Sequence, residues 1–235
     1  MPEPLLTRYL QPLLAGRRAE CFRLIAEALD AGTRPEHIAC DVVWPAMLQL
    51  DRLFRDDRID AAINNMAARI NRTVADQLQA HLPCGVPNGR RLVVVCSDEL
   101  REGIGAEILS DLFQAEGWDV YLLGADVPHD ELLHTIGKLC PHALLIYGSQ
   151  PHEIPNVRRL VEMIREIGVC PTMNIVAGGG VYGRVDALWQ EIGADAVVCE
   201  PREALHTIST LEPAKPGRRP LGIVKKRRRK RKVAV

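Results

Sequence analysis

Short apolar segments alternate with amphipathic ones over the second half of the chain, beginning at Leu92. The run Leu92–Cys96 is apolar and rich in β-branched residues, which is typical of a strand buried on both faces of a parallel sheet. After a polar loop, apolar residues recur at helical spacing over Ile104–Glu116, and Gly117 follows as a natural C-cap. The apolar segment Trp118–Leu123 comes next. This order predicts a strand, a helix and a second parallel strand joined by a right-handed crossover.

The same alternation continues to the end of the predicted domain. The predicted strands are Leu92–Cys96, Trp118–Leu123, Ala143–Tyr147, Asn174–Ala177 and Ala196–Cys199. The predicted helices are Ile104–Glu116, His129–Leu139, Ile154–Ile167, Val185–Ile192 and Arg202–Ser209. Five strands alternating with helices predict an α/β fold, a five-stranded doubly wound parallel sheet. Ligands of such sheets lie outside the carboxyl ends of the strands, so the loop Ser97–Gly105 is the first candidate for function.

The first part of the chain has helical periodicity only. Four amphipathic segments joined by short turns predict an N-terminal four-helix bundle over residues 1–82. Residues 83–90 are dense in Pro and Gly and mark a linker. The doubly wound domain is then expected over 91–211, followed by a disordered basic tail over 212–235.

Composition indicates a protein without membrane segments. The 235 residues are 47% hydrophobic and 26% charged, and neither a bilayer-spanning apolar run nor a signal peptide is evident. The seven cysteines are odd in number and scattered, and no pair has zinc-finger spacing. This usage favours free thiols and a cytoplasmic location.

The net charge of zero is unevenly distributed. From Lys215 onward the chain has eleven Lys or Arg and no acid, which leaves 19 basic against 30 acidic residues before it. A segment so strongly self-repelling cannot fold alone. It could dock on nucleic acid or another acidic surface through phosphate-type contacts, or it could serve only as a solubilising tail near the acidic body.

Several short motifs, in order, resemble those of one family. They are Pro45-Ala46-Met47 in the bundle, Gly117–Val120 with Leu123–Pro128 around the second strand, Val176–Gly180, and Ile192–Ala196. Together with the bundle–linker–sheet order, they resemble the corrinoid-binding module of cobalamin-dependent methyltransferases and of light- or redox-sensing regulators. The resemblance covers roughly residues 5 to 210. It implies a corrinoid small molecule, cobalamin, held between the bundle and the strand ends, and a protein partner.

The ligand motifs of that family are altered here. In its Asp-x-His-x-x-Gly motif the histidine binds cobalt, but an ungapped alignment ending at Gly105 places Glu102 at that histidine. A carboxylate is a poor substitute for imidazole on cobalt. Phe54 stands at the family's cap Trp, Asn64-Asn65 at its Glu-His pair, and Tyr147 or Gly148 at its pocket serine.

Three interpretations remain open. Cobalamin could bind with its own benzimidazole kept on cobalt, which needs no protein histidine. His152, after the third strand, could serve instead, although an exposed loop histidine is the better interpretation of that residue, and no metal ligand is assigned. The pocket could also be vestigial, with cobalamin lost and the fold kept for protein interaction.

The candidate cofactor contacts follow from the same comparison. On the sheet side they are mostly glycines at strand ends, where a backbone can approach a ligand or simply turn tightly. The sheet-side candidates are Glu102, Gly103, Gly105, Tyr147, Gly148, Ser149, Gly178, Gly179 and Gly180, and the cap candidates are Phe54, Asn64 and Asn65. The acids Asp98 and Glu99 near Glu102 fit a solvated loop better than a Mg²⁺ site.

The leading functional hypothesis is a non-enzymatic cobalamin-binding protein with a sensory or regulatory role. The first alternative is a corrinoid carrier subunit of a methyltransferase. The second alternative is a nucleic-acid-associated protein that acts through its basic tail.

Overall fold

The computed structural model describes residues 3–97 and 103–215. Candidates Asp98, Glu99 and Glu102 and the basic run beyond residue 215 lie outside the described residues. Within the described ranges, no helix combines the length and the apolar character needed to cross a membrane.

Five helices form the N-terminal part. They are α1 (Leu5–Leu14), α2 (Arg18–Asp30), α3 (Pro35–Ile38), α4 (Trp44–Arg55) and α5 (Ala61–Gln79). A π-helical turn, Ala39–Val43, joins α3 to α4, so the two occupy the place of the third predicted helix. Asp60 caps α5, because its Oδ1 accepts a hydrogen bond from the Ile63 amide at 2.8 Å.

The bundle core contains one buried amide that is fully committed to hydrogen bonds across helices. The Tyr9 hydroxyl donates to Asn71 Oδ1 at 3.1 Å, and Asn71 Nδ2 donates to the Val43 carbonyl at 3.0 Å. Burying a polar group is costly unless it is paired. This pairing therefore fixes α5 against α1 and the π turn.

The C-terminal part is a five-stranded parallel sheet in the order β2-β1-β3-β4-β5. Its strands are β1 (Arg91–Cys96), β2 (Asp119–Gly124), β3 (Ala143–Tyr147), β4 (Asn174–Gly178) and β5 (Ala196–Val198). Its helices are α6 (Ile104–Ala115), α7 (His129–Leu139), α8 (Ile154–Ile167), α9 (Gly180–Arg184), α10 (Leu188–Glu191) and α11 (Pro201–Thr210). The predicted α/β class with a helical N-terminal part is confirmed.

One predicted helix needs correction. Val185–Ile192 is not continuous: Val185 is extended, and Ala187 adopts a left-handed conformation with φ of 61°. A residue with a side chain at positive φ interrupts helical geometry, so only α10 (Leu188–Glu191) forms within the predicted span, and the short helix α9 (Gly180–Arg184) precedes it.

Opposite faces of the sheet bury different layers. Val94, Leu145 and Tyr147 belong to a core that is continuous with the bundle, whereas Val93 and Ile146 belong to a second core with α7 and α8. Alternation along each strand explains the division. The bundle thus shares its core with one face of the sheet.

Two surface ion pairs also join the parts. Arg202 makes a bidentate contact with Asp41, at 2.5 and 2.8 Å, and Arg184 lies 3.4 Å from Asp51. Residues 81–90, between α5 and β1, form no helix or strand. The domain bounds given above remain predictions.

Candidate functional site

A cavity of about 970 Å³ opens between helix α5 and the carboxyl ends of β1, β2 and β3. Small-molecule sites usually measure about 300–1,000 Å³, so it has room for a large organic ligand. The strand order reverses direction between β1 and β3, and ligands of doubly wound sheets lie at that point. The cavity therefore occupies the position where this fold class places its ligands.

The sheet-side wall of the cavity is apolar. Val95 and Ile146, near the ends of neighbouring strands, form it together with Leu132 of α7 and Val157 of α8. All four belong to the second core and are buried. Their packing gives the cavity a rigid wall that excludes water from one side of a ligand.

The opposite wall carries amides and cations. Asn64, Asn65, Arg69 and Arg72 project from α5, and amides from the segment after β3 complete the rim. The amides of that segment are Gln150 and Asn156. Neutral amides both donate and accept hydrogen bonds, so this rim suits a ligand with amide groups at its edge.

One ion pair anchors the cation side of the cavity. Arg72 donates from a guanidinium nitrogen to Glu107 Oε1 of α6 at 2.8 Å. Burial raises the pKa of Glu107, and Arg72 partly opposes that shift. The pair links the bundle to the sheet beside the cavity.

The three predicted cap residues lie in the cavity wall. Phe54, near the end of α4, is 41% exposed and lines the cavity. Asn64 and Asn65 line it from the next helix, α5. Their contact with a ligand remains a prediction.

The predicted sheet-side residues that the structure describes are not part of the cavity lining. Tyr147 is 4% exposed and packs edge-on against Trp44, with ring centroids 6.3 Å apart. A Cβ at Gly105 would overlap the Tyr147 hydroxyl oxygen and stand 2.9 Å from ring carbon Cε2, and one at Gly178 would stand 3.6 Å from its Cδ2. The tyrosine therefore fills the space that Gly105 leaves open, whereas a Cβ at Gly178 would first meet Leu145, 3.0 Å from its Cδ1.

The other strand-end glycines lie where neighbouring groups of the chain pack closely. Gly179 has φ of 103°, and a Cβ there would overlap the Gly148 carbonyl oxygen. A Cβ at Gly180 would stand 2.8 Å from Arg184, which donates to the Ser149 carbonyl. Close backbone approach explains Gly179 without a ligand, whereas at Gly180 the neighbouring group is the end of the Arg184 side chain. Gly103 precedes α6 as its N-cap residue.

Two histidines line the cavity. His152 has 73% of its side chain exposed and lies 3.4 Å from Glu153, whereas His129 begins α7. Residues 3–97 and 103–215 contain no group of three or more His, Cys, Asp or Glu side chains placed to hold a metal ion.

Sequence reasoning missed several lining residues. His129, Arg69 and Arg72 were not among the candidates, because on sequence alone they are ordinary helix-surface residues. Asp126 also lines the cavity, in the Leu123–Pro128 motif, at φ of 59°. The Leu123–Pro128 motif, which carries part of the family resemblance, therefore also contributes to the cavity lining.

Comparisons with known proteins agree with this arrangement. A family model described as the B12 binding domain matches residues 90–209, and a second model with the same description matches residues 5–79. Monomethylamine corrinoid protein 2 of Methanosarcina acetivorans is 25% identical over 193 residues, which are 79% of this chain and 87% of that protein. Dimethylamine corrinoid protein 3 of the same organism is 23% identical over 206 residues, 86% of this chain and 94% of its own.

A solved structure shares the fold. The monomethylamine corrinoid protein of Methanosarcina barkeri superposes with a TM-score of 0.74 at 19% identity, covering 86% of this chain and 95% of that one. The first family model alone covers more than half of the chain. This chain therefore belongs to the B12 binding domain family.

Proposed function

We propose that this protein binds cobalamin in the cavity beneath α5 and acts as a non-catalytic corrinoid carrier for a partner methyltransferase. The observation that carries the proposal is the cavity of about 970 Å³ at the ends of β1–β3, roofed by the bundle. Both matched domain models occur in the required order. The curated relatives are corrinoid proteins, which favours the carrier hypothesis over the sensory one.

The lining fits the edge of a corrin ring. Cobalamin carries neutral amide side chains around a flat macrocycle, and Asn64, Asn65, Gln150 and Asn156 can each donate to and accept from such amides. The apolar wall beside Val95 would pack against the ring face. When bound, the corrinoid supplies a cobalt centre for alkyl transfer; the chain's own side chains position it and exclude water.

The space beside Gly105 is already occupied by a side chain, which bears on where a displaced base could lie. A protein histidine on cobalt would displace the corrinoid's own benzimidazole, which then needs a place on the sheet side. Tyr147 already fills the slot between β3 and α6. We therefore favour binding with the benzimidazole kept on cobalt, and Tyr147 and Glu102 then need not match the family pattern.

Binding is tested with a bulky substitution in the cavity. Purified protein is mixed with hydroxocobalamin and gel-filtered, and the visible spectrum of the protein peak is recorded. Ala68→Trp places an indole in the cavity lining and is expected to weaken binding at least about tenfold, which corresponds to ~1.4 kcal/mol. Ala62→Trp, on the exposed side of the same helix, is the matched control and should bind normally. If the peak of the unmodified protein is colourless, the protein has not bound cobalamin, and the vestigial interpretation is the one that remains.

The cobalt ligand is tested with cobinamide, which lacks the benzimidazole. Electron paramagnetic resonance of the reduced Co(II) form shows nitrogen splitting only when a nitrogen ligand is bound. Protein-bound cobalamin should show the splitting and protein-bound cobinamide should not. Splitting with cobinamide that disappears in His152→Ala or His129→Ala would assign a protein ligand and contradict the base-on proposal.

The carrier and sensory hypotheses differ in their response to the upper ligand. A carrier should elute at the same volume with hydroxocobalamin and with adenosylcobalamin. A change of oligomeric state between the two forms would instead support the sensory role. The basic tail lies outside the described residues, and its binding to nucleic acid stays a prediction.

A further inference from the structure

Two cysteines lie near the amino ends of neighbouring strands, at the end of the sheet opposite the cavity. Cys140 follows α7 and precedes β3, while Cys170 lies between α8 and β4. The Asn174 amide donates to the His142 carbonyl at 3.0 Å, at the start of the paired strands. Backbone pairing therefore holds the two turns together.

Their thiols converge on one helix end. Cys140 Sγ donates to the Gly137 carbonyl at 3.3 Å, and Cys170 Sγ donates to the adjacent Ile136 carbonyl at 3.4 Å. The two thiols are close enough for Cys140 to contribute to raising the pKa of Cys170. Both cysteines are free.

We propose that Cys140 and Cys170 form a reversible disulfide when the protein meets an oxidised thiol such as glutathione disulfide. The Cys140 thiolate attacks one sulfur of the reagent, and glutathione thiolate leaves. Cys170 loses its proton and attacks Cys140 Sγ, and the second glutathione leaves. The two cysteines are oxidised, one glutathione disulfide is reduced to two glutathiones, and the protons end on the released thiols.

The two thiols have different roles in this exchange. Cys140 is exposed and meets the reagent first, whereas Cys170 is only partly exposed. Burial, and then the neighbouring Cys140, raise the pKa of Cys170 to about 11, so little of it is thiolate before the first step. Cys170 is therefore the resolving thiol. It acts on a partner already held beside it.

The experiment uses the full chain incubated with glutathione disulfide, quenched with N-ethylmaleimide and mapped by peptide mass spectrometry. The expected product is a peptide pair joined through Cys140 and Cys170, cleaved again by dithiothreitol. The bond closes a loop of about 30 residues, so the oxidised protein should melt roughly 5–10 °C higher than the reduced one. Exposed Cys84 of the linker should carry glutathione and serves as an internal control.

Single variants separate the two steps. Cys170→Ser should accumulate glutathione on Cys140, because the resolving thiol is missing, and Cys140→Ser should leave Cys170 largely alkylated. Both positions are at turns and not in the bundle core, so the variants should fold. Stable glutathione on Cys140 of the unmodified chain, or alkylation of both cysteines after oxidation, would overturn the proposal.

Discussion

The close contact between Gly105 and Tyr147 leads to a prediction about stability. The sign of the effect of Gly105→Ala should depend on whether the tyrosine ring is present. Gly105→Ala places a methyl group against a ring that is 4% exposed and held by Trp44. Overpacking costs about 1–3 kcal/mol, and the helix gains about 1 kcal/mol when Ala replaces Gly within α6. The net expectation is a loss of about 1 kcal/mol in the free energy of unfolding.

Removing the ring should reverse that result. Tyr147→Ser alone should cost about 3–5 kcal/mol, because it deletes a buried aromatic side chain. In that background the added methyl group meets open space, so Gly105→Ala should stabilise the protein by about 1 kcal/mol. The coupling energy between the two positions is then about 2 kcal/mol.

Urea unfolding followed by far-ultraviolet circular dichroism measures all four proteins of this cycle. Gly137→Ala in α7 is the control in both backgrounds, because its Cβ makes only an ordinary contact and should stabilise by a similar amount in each. If Gly105→Ala changes stability equally with and without the ring, the tyrosine does not fill the slot, and the base-on argument loses its structural support.

Two further predictions concern helix α5 and its neighbour α6. Burial raises the pKa of Asp111 to about 6, so the folded state retains this proton to higher pH than the unfolded state and stability falls as pH rises from about 4 to about 6. Asp111→Asn keeps an acceptor for Gln79 and, after solvent screening, should raise the free energy of unfolding by about 1 kcal/mol at pH 7.5 but not at pH 4. Thermal melts at the two pH values measure the difference. Equal gains at both would refute the raised pKa of Asp111. Asp60→Ala removes the cap that accepts from Ile63 and should cost about 1 kcal/mol in urea unfolding, whereas Asp60→Asn should cost little; equal losses would deny the capping role.

The strands were predictable because each is a short apolar run bounded by turn residues. Ala143–Tyr147 was located at both ends by composition alone. The interruption of the predicted helix at Ala187 could not be predicted, because the left-handed conformation follows from local chain geometry and not from apolar spacing. Boundaries of this kind depend on tertiary packing that a periodic pattern does not contain.

The site divides in the same way. Phe54, Asn64 and Asn65 were found because aligned motifs marked their positions, and they line the cavity. The relation of Tyr147 to Gly105 could not be predicted, since the two residues are 42 positions apart and meet only when α6 packs on β3. Nothing in the sequence around a tyrosine at the end of a buried strand indicates which residue its ring will contact.

The pattern of change in the site supports our proposal of an altered binding mode over the vestigial interpretation. Here the cavity of about 970 Å³ remains, with polar groups such as Asn64 and Gln150 at its rim. Glu102 and Tyr147 instead depart from the family pattern at positions that serve one binding mode. That mode needs a histidine on cobalt and a place for the base that the histidine displaces. A corrinoid that keeps its own base needs neither, so both departures from the family pattern have a single physical explanation.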